Sequence, residues 1–313
     1  QALDWQVTLT LVGDPKKLTK DALGAYQAWE KMKGETHLFT PMLLKNDVTL
    51  IVDALFGVGL VRDIEGDYKH VIEAINKAKK SVVAVDIPSG ICADTGCVKG
   101  VAIQADRTVT FFTPKLGHYL LPGKMHTGKL HIVDIGIPVS VLDEISPCYY
   151  LNDPTLWREA LPLQAENTHK YQRGHVGVVG GGVEMTGAAK MVAQSAQRIG
   201  TGLVTIATPP SALEVYAKSL TSVMVKLVGE ATAFDDFLKK KKKTAFVIGP
   251  GCGLGAETIK KTIAILNTKK PCVIDADAIS SFENQPTKLL EHLHKSCVLT
   301  PHEGEFKRLF GNE

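Results

Sequence analysis

The stretch that most restricts the architecture runs from 168 to 190, THKYQRGHVGVVGGGVEMTGAAK. Its apolar run from His175 to Val179 reads as a buried strand. Gly180, Gly181 and Gly182 turn the chain, and Gly187 follows directly after Thr186. Ala188, Val192, Ala196 and Ile199 then recur at helical spacing until Gly200 and Gly202 end the pattern. The order is strand, glycine turn, helix. A turn without Cβ atoms lets backbone approach a ligand closely. The helix N-terminus beyond it offers unpaired N–H groups to an anion. An ordinary βα turn accounts for these glycines equally well. The dinucleotide fingerprint G-x-G-x-x-G fails, because Met185 stands where its third glycine belongs.

The same punctuation recurs along the chain. In the first half, strands are predicted at 5–13, 50–55, 82–85, 108–112 and 130–135. Helices are predicted at 14–33, opening at Asp14-Pro15, and at 68–78, with Val71, Ile72 and Ile75 inward. In the second half, strands fall at 175–179, 203–207, 222–228, 244–248, 271–275 and 296–300. The helices there fall at 187–199, 211–220, 257–267 and 287–295. Strands alternating with helices imply α/β architecture, with parallel sheets covered on both faces. Residues 137–169 lose the periodicity, and Pro138, Pro147, Pro154 and Pro162 punctuate them. Two domains, 1–146 and 147–313, are therefore expected, which suits a length of 313 residues. The motifs of the halves do not align, so they are not an internal repeat. The five lysines at 239–243, between a helix and a strand, read as a solvated corner.

Composition narrows the partners. A hydrophobic content of 44% with 22% charged residues supports ample core. No apolar run approaches the roughly 20 residues of a membrane span. The opening QALDWQVTLTLVG has no basic leader, so no signal peptide, no membrane partner and a cytoplasmic compartment are expected. The six cysteines are scattered without a C-x-x-C, which argues against zinc or redox motifs. Those in apolar strands read as small hydrophobes. A formal net charge of +3 is too small to call for nucleic acid.

Ligands in parallel sheets collect beyond the carboxyl ends of strands. Asp53, the loop residues Gly57, Val58, Gly59, Leu60, Val61, Arg62 and Asp63, then Asp86 and Ser89, all fall at such ends. Carboxylates there bind a sugar hydroxyl, act as a base or ligate a cation; capping and turn formation explain them as well. In the second half, VIGPGCGLG brings Gly249, Gly251, Gly253 and Gly255 to a strand end, a turn whose N–H groups can face a ligand. A flexible connection reads the same way. Asp275 and Asp277 follow one strand and can position a Mg²⁺-phosphate through water. Thr300, His302, Glu303 and Glu305 follow another. His302 can hydrogen-bond a ligand, carry a proton or be a satisfied loop histidine. Glu305 also suits the helix dipole.

In order, VDALFGVGL, VAVDIPSGICADTG, TVTFFTPKLGH and VDIGIP resemble the epimerase domain of the bifunctional NAD(P)H-hydrate repair enzymes. From about residue 160, HKYQRGHVGVVGG…TGAA, GTGLVTIATP, IGPGCGLG, IDADAIS and TPHEGEF resemble the dehydratase domain of the same family. The resemblance implies a Rossmann-like epimerase domain followed by a ribokinase-like α/β domain. It implies epimerisation of the R and S hydrates of NADH and NADPH. It also implies dehydration of the S-hydrate at the expense of ADP or ATP, by phosphorylation and phosphate elimination. By motif, Gly57 to Asp63 and Asp86 contact the hydrated dinucleotide, and Asp86 transfers the proton. Asp53 and Ser89 would hold K⁺. Ala188, Gly251 and His302 would contact the hydrated nucleotide, with Mg²⁺ accompanying the adenine nucleotide. Lys115, in TPKLG, shares a family motif without an assigned role. The family's asparagine- and glycine-rich phosphate loop would precede Gln1. Its lysine-glycine loop and G-[TS]-G-D base motif would follow Glu313, so both domains are expected to be incomplete at their outer ends. No G-K-[ST] substitutes for them. A homo-oligomer is expected. Two further readings stand beside this one. A ribokinase-like small-molecule kinase explains only the second half. A non-catalytic nucleotide-binding scaffold explains the fold without chemistry.

Overall fold

The computed structural model describes residues 6–18, 20–44, 47–161, 168–229, 231–239 and 244–311. Trp5, Pro162 and the lysines at 240–243, and with them the proposed solvated corner, lie outside the described residues. The chain divides into two units, Gln1–Leu151 and Asn152–Glu313; sequence punctuation puts the division at 146/147.

The first unit carries a parallel pair, β1 (Leu9–Leu11) with β2 (Thr36–Leu38), and a four-stranded parallel sheet. That sheet runs in the order β3 (Leu50–Asp53), β4 (Ser81–Val85), β5 (Arg107–Phe111), β6 (Lys129–Val133). The helix Gly66–Ala78 buries Val71, Ile72 and Ile75, the spacing that places three side chains on one face. They pack with Val82 and Ala84 of β4 and with Ile103 and Ala105. The predicted helix at 14–33 is interrupted. Asp14 caps a short 3₁₀ turn at Pro15–Lys17, Leu18 is extended, and the α-helix runs from Lys20 to Lys31. Proline fixes φ at the start of the turn, which Asp14 caps in turn by accepting the Lys16 N–H.

The second unit is a six-stranded parallel sheet in the order β12-β11-β10-β7-β8-β9. Its strands are β7 (His175–Val179), β8 (Leu203–Thr208), β9 (Met224–Leu227), β10 (Ala245–Ile248), β11 (Cys272–Ile274) and β12 (Cys297–Leu299). Successive side chains of a strand face opposite ways. Val178 therefore joins Val204, Ile206, Tyr216 and Ala189 on one face, while Val179 joins Phe246, Ile248, Phe237 and Phe282 on the other. Both faces are apolar, and helices cover them, as buried parallel strands require. The predicted helix at 287–295 stops at Leu290, because the chain turns again at His294 before entering β12.

Candidate functional site

In the first unit the carboxyl ends of β3, β4 and β5 lie side by side, and each carries a polar residue. Asp53 ends β3 with its side chain buried at 2% exposure. The Ser89 hydroxyl donates to Asp53 Oδ1 at 2.6 Å, and the Ser89 N–H donates to Oδ2 at 2.8 Å. Leu55 N–H reaches Oδ1 at 3.3 Å. Phe56 N–H donates to Ser89 Oγ at 2.9 Å, which ties the root of the 57–63 loop to this pair. Burial drives the Asp53 carboxyl upward from its ordinary range, and the Ser89 and Leu55 hydrogen bonds only partly oppose it. A buried carboxylate beside a hydroxyl and a backbone carbonyl is a set of hard oxygen donors, the chemistry that suits an alkali or alkaline-earth cation. Within the loop, Leu60 is buried in the core with Ile64, whereas Gly57, Val58, Gly59, Val61, Arg62 and Asp63 are exposed.

Asp86 follows β4 with φ +66, a left-handed conformation uncommon outside glycine. Its N–H still pairs with Val109 O, while its side chain swings over the end of β5. There Oδ1 accepts from Thr110 Oγ1 at 2.8 Å, Lys115 Nζ at 2.5 Å and Phe111 N–H at 3.4 Å. All of these converge on Oδ1. Oδ2 accepts no hydrogen bond among the described residues. Burial works to raise the Asp86 carboxyl, but the Lys115 ammonium and the Thr110 hydroxyl outweigh it and hold the group below its ordinary range. Asp86 is an anion at neutral pH with one oxygen held and one open.

His118 sets the backbone beneath this carboxylate. Its Nδ1 accepts from Lys115 N–H at 3.0 Å, so its proton sits on Nε2, 2.9 Å from the Asp86 carbonyl to which it donates. The ring is buried, and burial lowers its pKa, so it stays neutral. Thr110 and His118 are candidate site residues, by their contacts with Asp86, that sequence reasoning did not single out. Both lie inside TVTFFTPKLGH, and the period-two alternation of β5 put Thr110 on the same face as its buried neighbour Thr108.

In the second unit, the strand order reverses beside β7: the chain runs on to β8 and β9, then returns to β10 on the other flank. Ligand crevices form at such switch points. The two glycine turns meet there. A Cβ on Gly181 would land on the Gly251 carbonyl, and one on Gly251 would come within 2.6 Å of Met185 O. Met185 opens the helix Thr186–Arg198, whose first turn carries half-buried Ala188. Gly251 and the root of the Ala188 helix are thus brought together.

The outer strands are more self-contained. Thr300 Oγ1 donates to Asp275 Oδ1 at 2.8 Å, linking the ends of β12 and β11. Asp277 Oδ2 accepts the Gly253 N–H at 2.8 Å, and Ser281 Oγ accepts the Gly255 N–H at 3.2 Å. This corrects one expectation: the N–H groups of Gly253 and Gly255 are satisfied by side chains from the neighbouring segment and do not face a ligand. His302 is 66% exposed and caps the helix Glu303–Phe310, its Nδ1 accepting from Gly304 N–H at 3.0 Å. Glu305 answers by accepting the His302 N–H at 3.0 Å, a reciprocal capping box. The remaining ring nitrogen, Nε2, stands 3.3 Å from buried Glu305 Oε1.

Residues 2–117 match the family described as YjeF-related protein N-terminus, and residues 176–313 match the one described as NAD(P)H-hydrate dehydratase. Three curated relatives carry the name bifunctional NAD(P)H-hydrate repair enzyme. The protein of Coxiella burnetii is 36% identical over 98% of this chain and 61% of its own length. That of Moorella thermoacetica is 35% identical over 98% and 61%, and that of Vibrio cholerae 32% identical over 98% and 60%. The chain thus joins a YjeF-related N-terminal match to a match with the NAD(P)H-hydrate dehydratase family. It spans about 61% of the length of these relatives. The first unit carries the YjeF-related match, and the second, a parallel α/β sheet, carries the NAD(P)H-hydrate dehydratase match. A ribokinase-like superfamily protein of Enterococcus faecalis aligns with 52% of this chain and 59% of its own, at 22% identity and a TM-score of 0.43. Among the described residues, no helix is long and apolar enough to cross a membrane.

Proposed function

We propose that the chain supplies much of the two active sites of a nicotinamide-nucleotide repair enzyme. Its first unit interconverts the R and S hydrates of NADH and NADPH. Its second unit binds the S-hydrate while ADP or ATP phosphorylates the hydroxyl, after which phosphate leaves and the reduced nicotinamide returns. The observation that carries the reading is the Asp86 carboxylate, anionic, fixed through Oδ1 and open at Oδ2. A base held at one oxygen is aimed by the other. In this reading Oδ2 accepts and returns the proton at the hydrated carbon, Lys115 keeps the group ionised between turnovers, and His118 holds its backbone. The exposed loop residues Gly57, Val58, Gly59, Val61, Arg62 and Asp63 lie against the dinucleotide, and Leu60 anchors the loop from the core side.

Asp53, Ser89 and the Phe56 carbonyl suit K⁺, which would offset the cost of an ionised, buried Asp53. In the second unit, Ala188, Gly251 and His302 contact the hydrated nucleotide. Mg²⁺ usually keeps several waters and takes its other ligands from substrate phosphates, so Asp275 would hold it through water. Bound there, it would neutralise charge on the transferred phosphoryl group. Elimination is favourable because phosphate is a far better leaving group than hydroxide. The enzyme would work in the cytoplasm as a homo-oligomer, with neither nucleic acid nor membrane as partner. Relatives bearing the repair-enzyme name across 98% of the chain support the whole reading.

The experiment uses the full-length protein with authentic hydrate epimers. One epimer alone, without nucleotide, is expected to epimerise to the R/S mixture, and Asp86→Asn is expected to abolish this. S-hydrate with ADP or ATP and Mg²⁺ is expected to regain the near-ultraviolet absorbance of reduced nicotinamide. No regain of absorbance would overturn the dehydratase half, and accumulation of a stable phosphorylated product would favour a small-molecule kinase.

A further inference from the structure

The amino ends of β11 and β12, opposite the ends that carry Asp275 and His302, hold a second cluster. Cys272 opens β11 and Cys297 opens β12, and the strand register pairs them directly. Their sulfurs lie 3.6 Å apart. His294 joins them from the turn His294-Lys295-Ser296-Cys297, which is closed by the Cys297 N–H donating to His294 O at 2.9 Å. One potential ligand atom from each of the three residues lies within 4.8 Å of the others.

We propose that Cys272, His294 and Cys297 form a zinc-binding site on the second unit, unrelated to the nucleotide chemistry. Three observations on geometry and chemistry support it. Two thiolates bound at about 2.3 Å with tetrahedral angles sit roughly 3.8 Å apart, close to the observed separation and far from the ~2.05 Å of a disulfide. His294 Nε2 is buried and has no hydrogen-bond partner among the described residues, a condition that a buried polar nitrogen rarely tolerates without an unplaced ligand. The His294 N–H donates to Cys297 Sγ at 3.4 Å, the outer-sphere contact that stabilises a thiolate once formed. Sulfur with imidazole selects a thiophilic ion over Mg²⁺ or K⁺.

Three protein ligands leave a fourth position for water. Binding releases the two thiol protons to solvent. Because both thiols must give up their protons to bind, affinity falls as pH falls. The H-x-x-C spacing has its partner cysteine one strand away, so no C-x-x-C marks the cluster in the sequence.

The test strips the full-length protein with chelator under anaerobic reducing conditions and titrates it with Co²⁺. The expected result is a thiolate-to-cobalt charge-transfer band with strong tetrahedral visible bands, saturating at one metal per chain and erased by added Zn²⁺. Cys297→Ser is expected to lose the bands. His294→Gln is expected to weaken binding at least about tenfold. Both positions are only half-buried, so both variants should fold, which circular dichroism checks. Cys148→Ser, at an exposed cysteine, should bind as the parent does. Absence of the bands in the parent, or bands unchanged in either Cys297→Ser or His294→Gln, overturns the proposal.

Discussion

Asp86 holds φ at +66, and asparagine tolerates that conformation better than almost any other side chain with a Cβ. Asp86→Asn therefore removes charge while sparing the turn, and loss of epimerisation in that variant reports chemistry. Lys115 acts on the same carboxylate by a different route. Its ammonium is the main force lowering the Asp86 carboxyl against burial, so Lys115→Met should raise that pKa. The acid limb of the epimerisation pH–rate profile should then move to higher pH, and an unmoved limb would rule Lys115 out of this role. Asp86 was legible in the sequence because DIPSG ends a strand with a carboxylate. Its partners were not: Lys115 had a motif but no role, since its reach back over β5 is a tertiary fact. His118 drew no reading of its own from the sequence, and only its two hydrogen bonds fix its proton on Nε2.

Among elements, the strand-turn-helix alternation was readable because buried parallel strands are continuous apolar runs with glycine or aspartate at their ends. β7 at His175–Val179 coincides with its predicted span. The three-residue β2 was not readable, since Thr36–Leu38 is too short for a period to register. Periodicity also could not separate glycines that serve a ligand from glycines that serve packing. Gly249 belongs to the second kind. It has φ +127, and a Cβ there would land on the Asp275 carbonyl. Gly249→Ala is expected to destabilise the second unit by about 2–4 kcal/mol. Gly187 has open space around it at the start of a helix, and Gly187→Ala should be neutral or stabilising by up to about 1 kcal/mol. Urea unfolding followed by far-ultraviolet circular dichroism checks both, and equal effects would refute the distinction.

For the whole molecule, the two units are each built on their own terms: each has its own sheet and its own apolar clusters. The cysteine pairing across β11 and β12 was invisible in one dimension, because 24 residues separate its members and only the strand register joins them. The central place of β7 has a kinetic corollary. A growing chain delivers β7, β8 and β9 first, and β7 keeps a bare flank until Ala245 of β10 meets Val176. Gly181 has no Gly251 to lean on before that moment, so the crevice between the two glycine turns arises only once β10 has docked. Nucleotide added to the full-length protein should therefore prolong the native lifetime while leaving the refolding rate as it was. Stopped-flow refolding that accelerates with nucleotide would show that the crevice takes shape early instead.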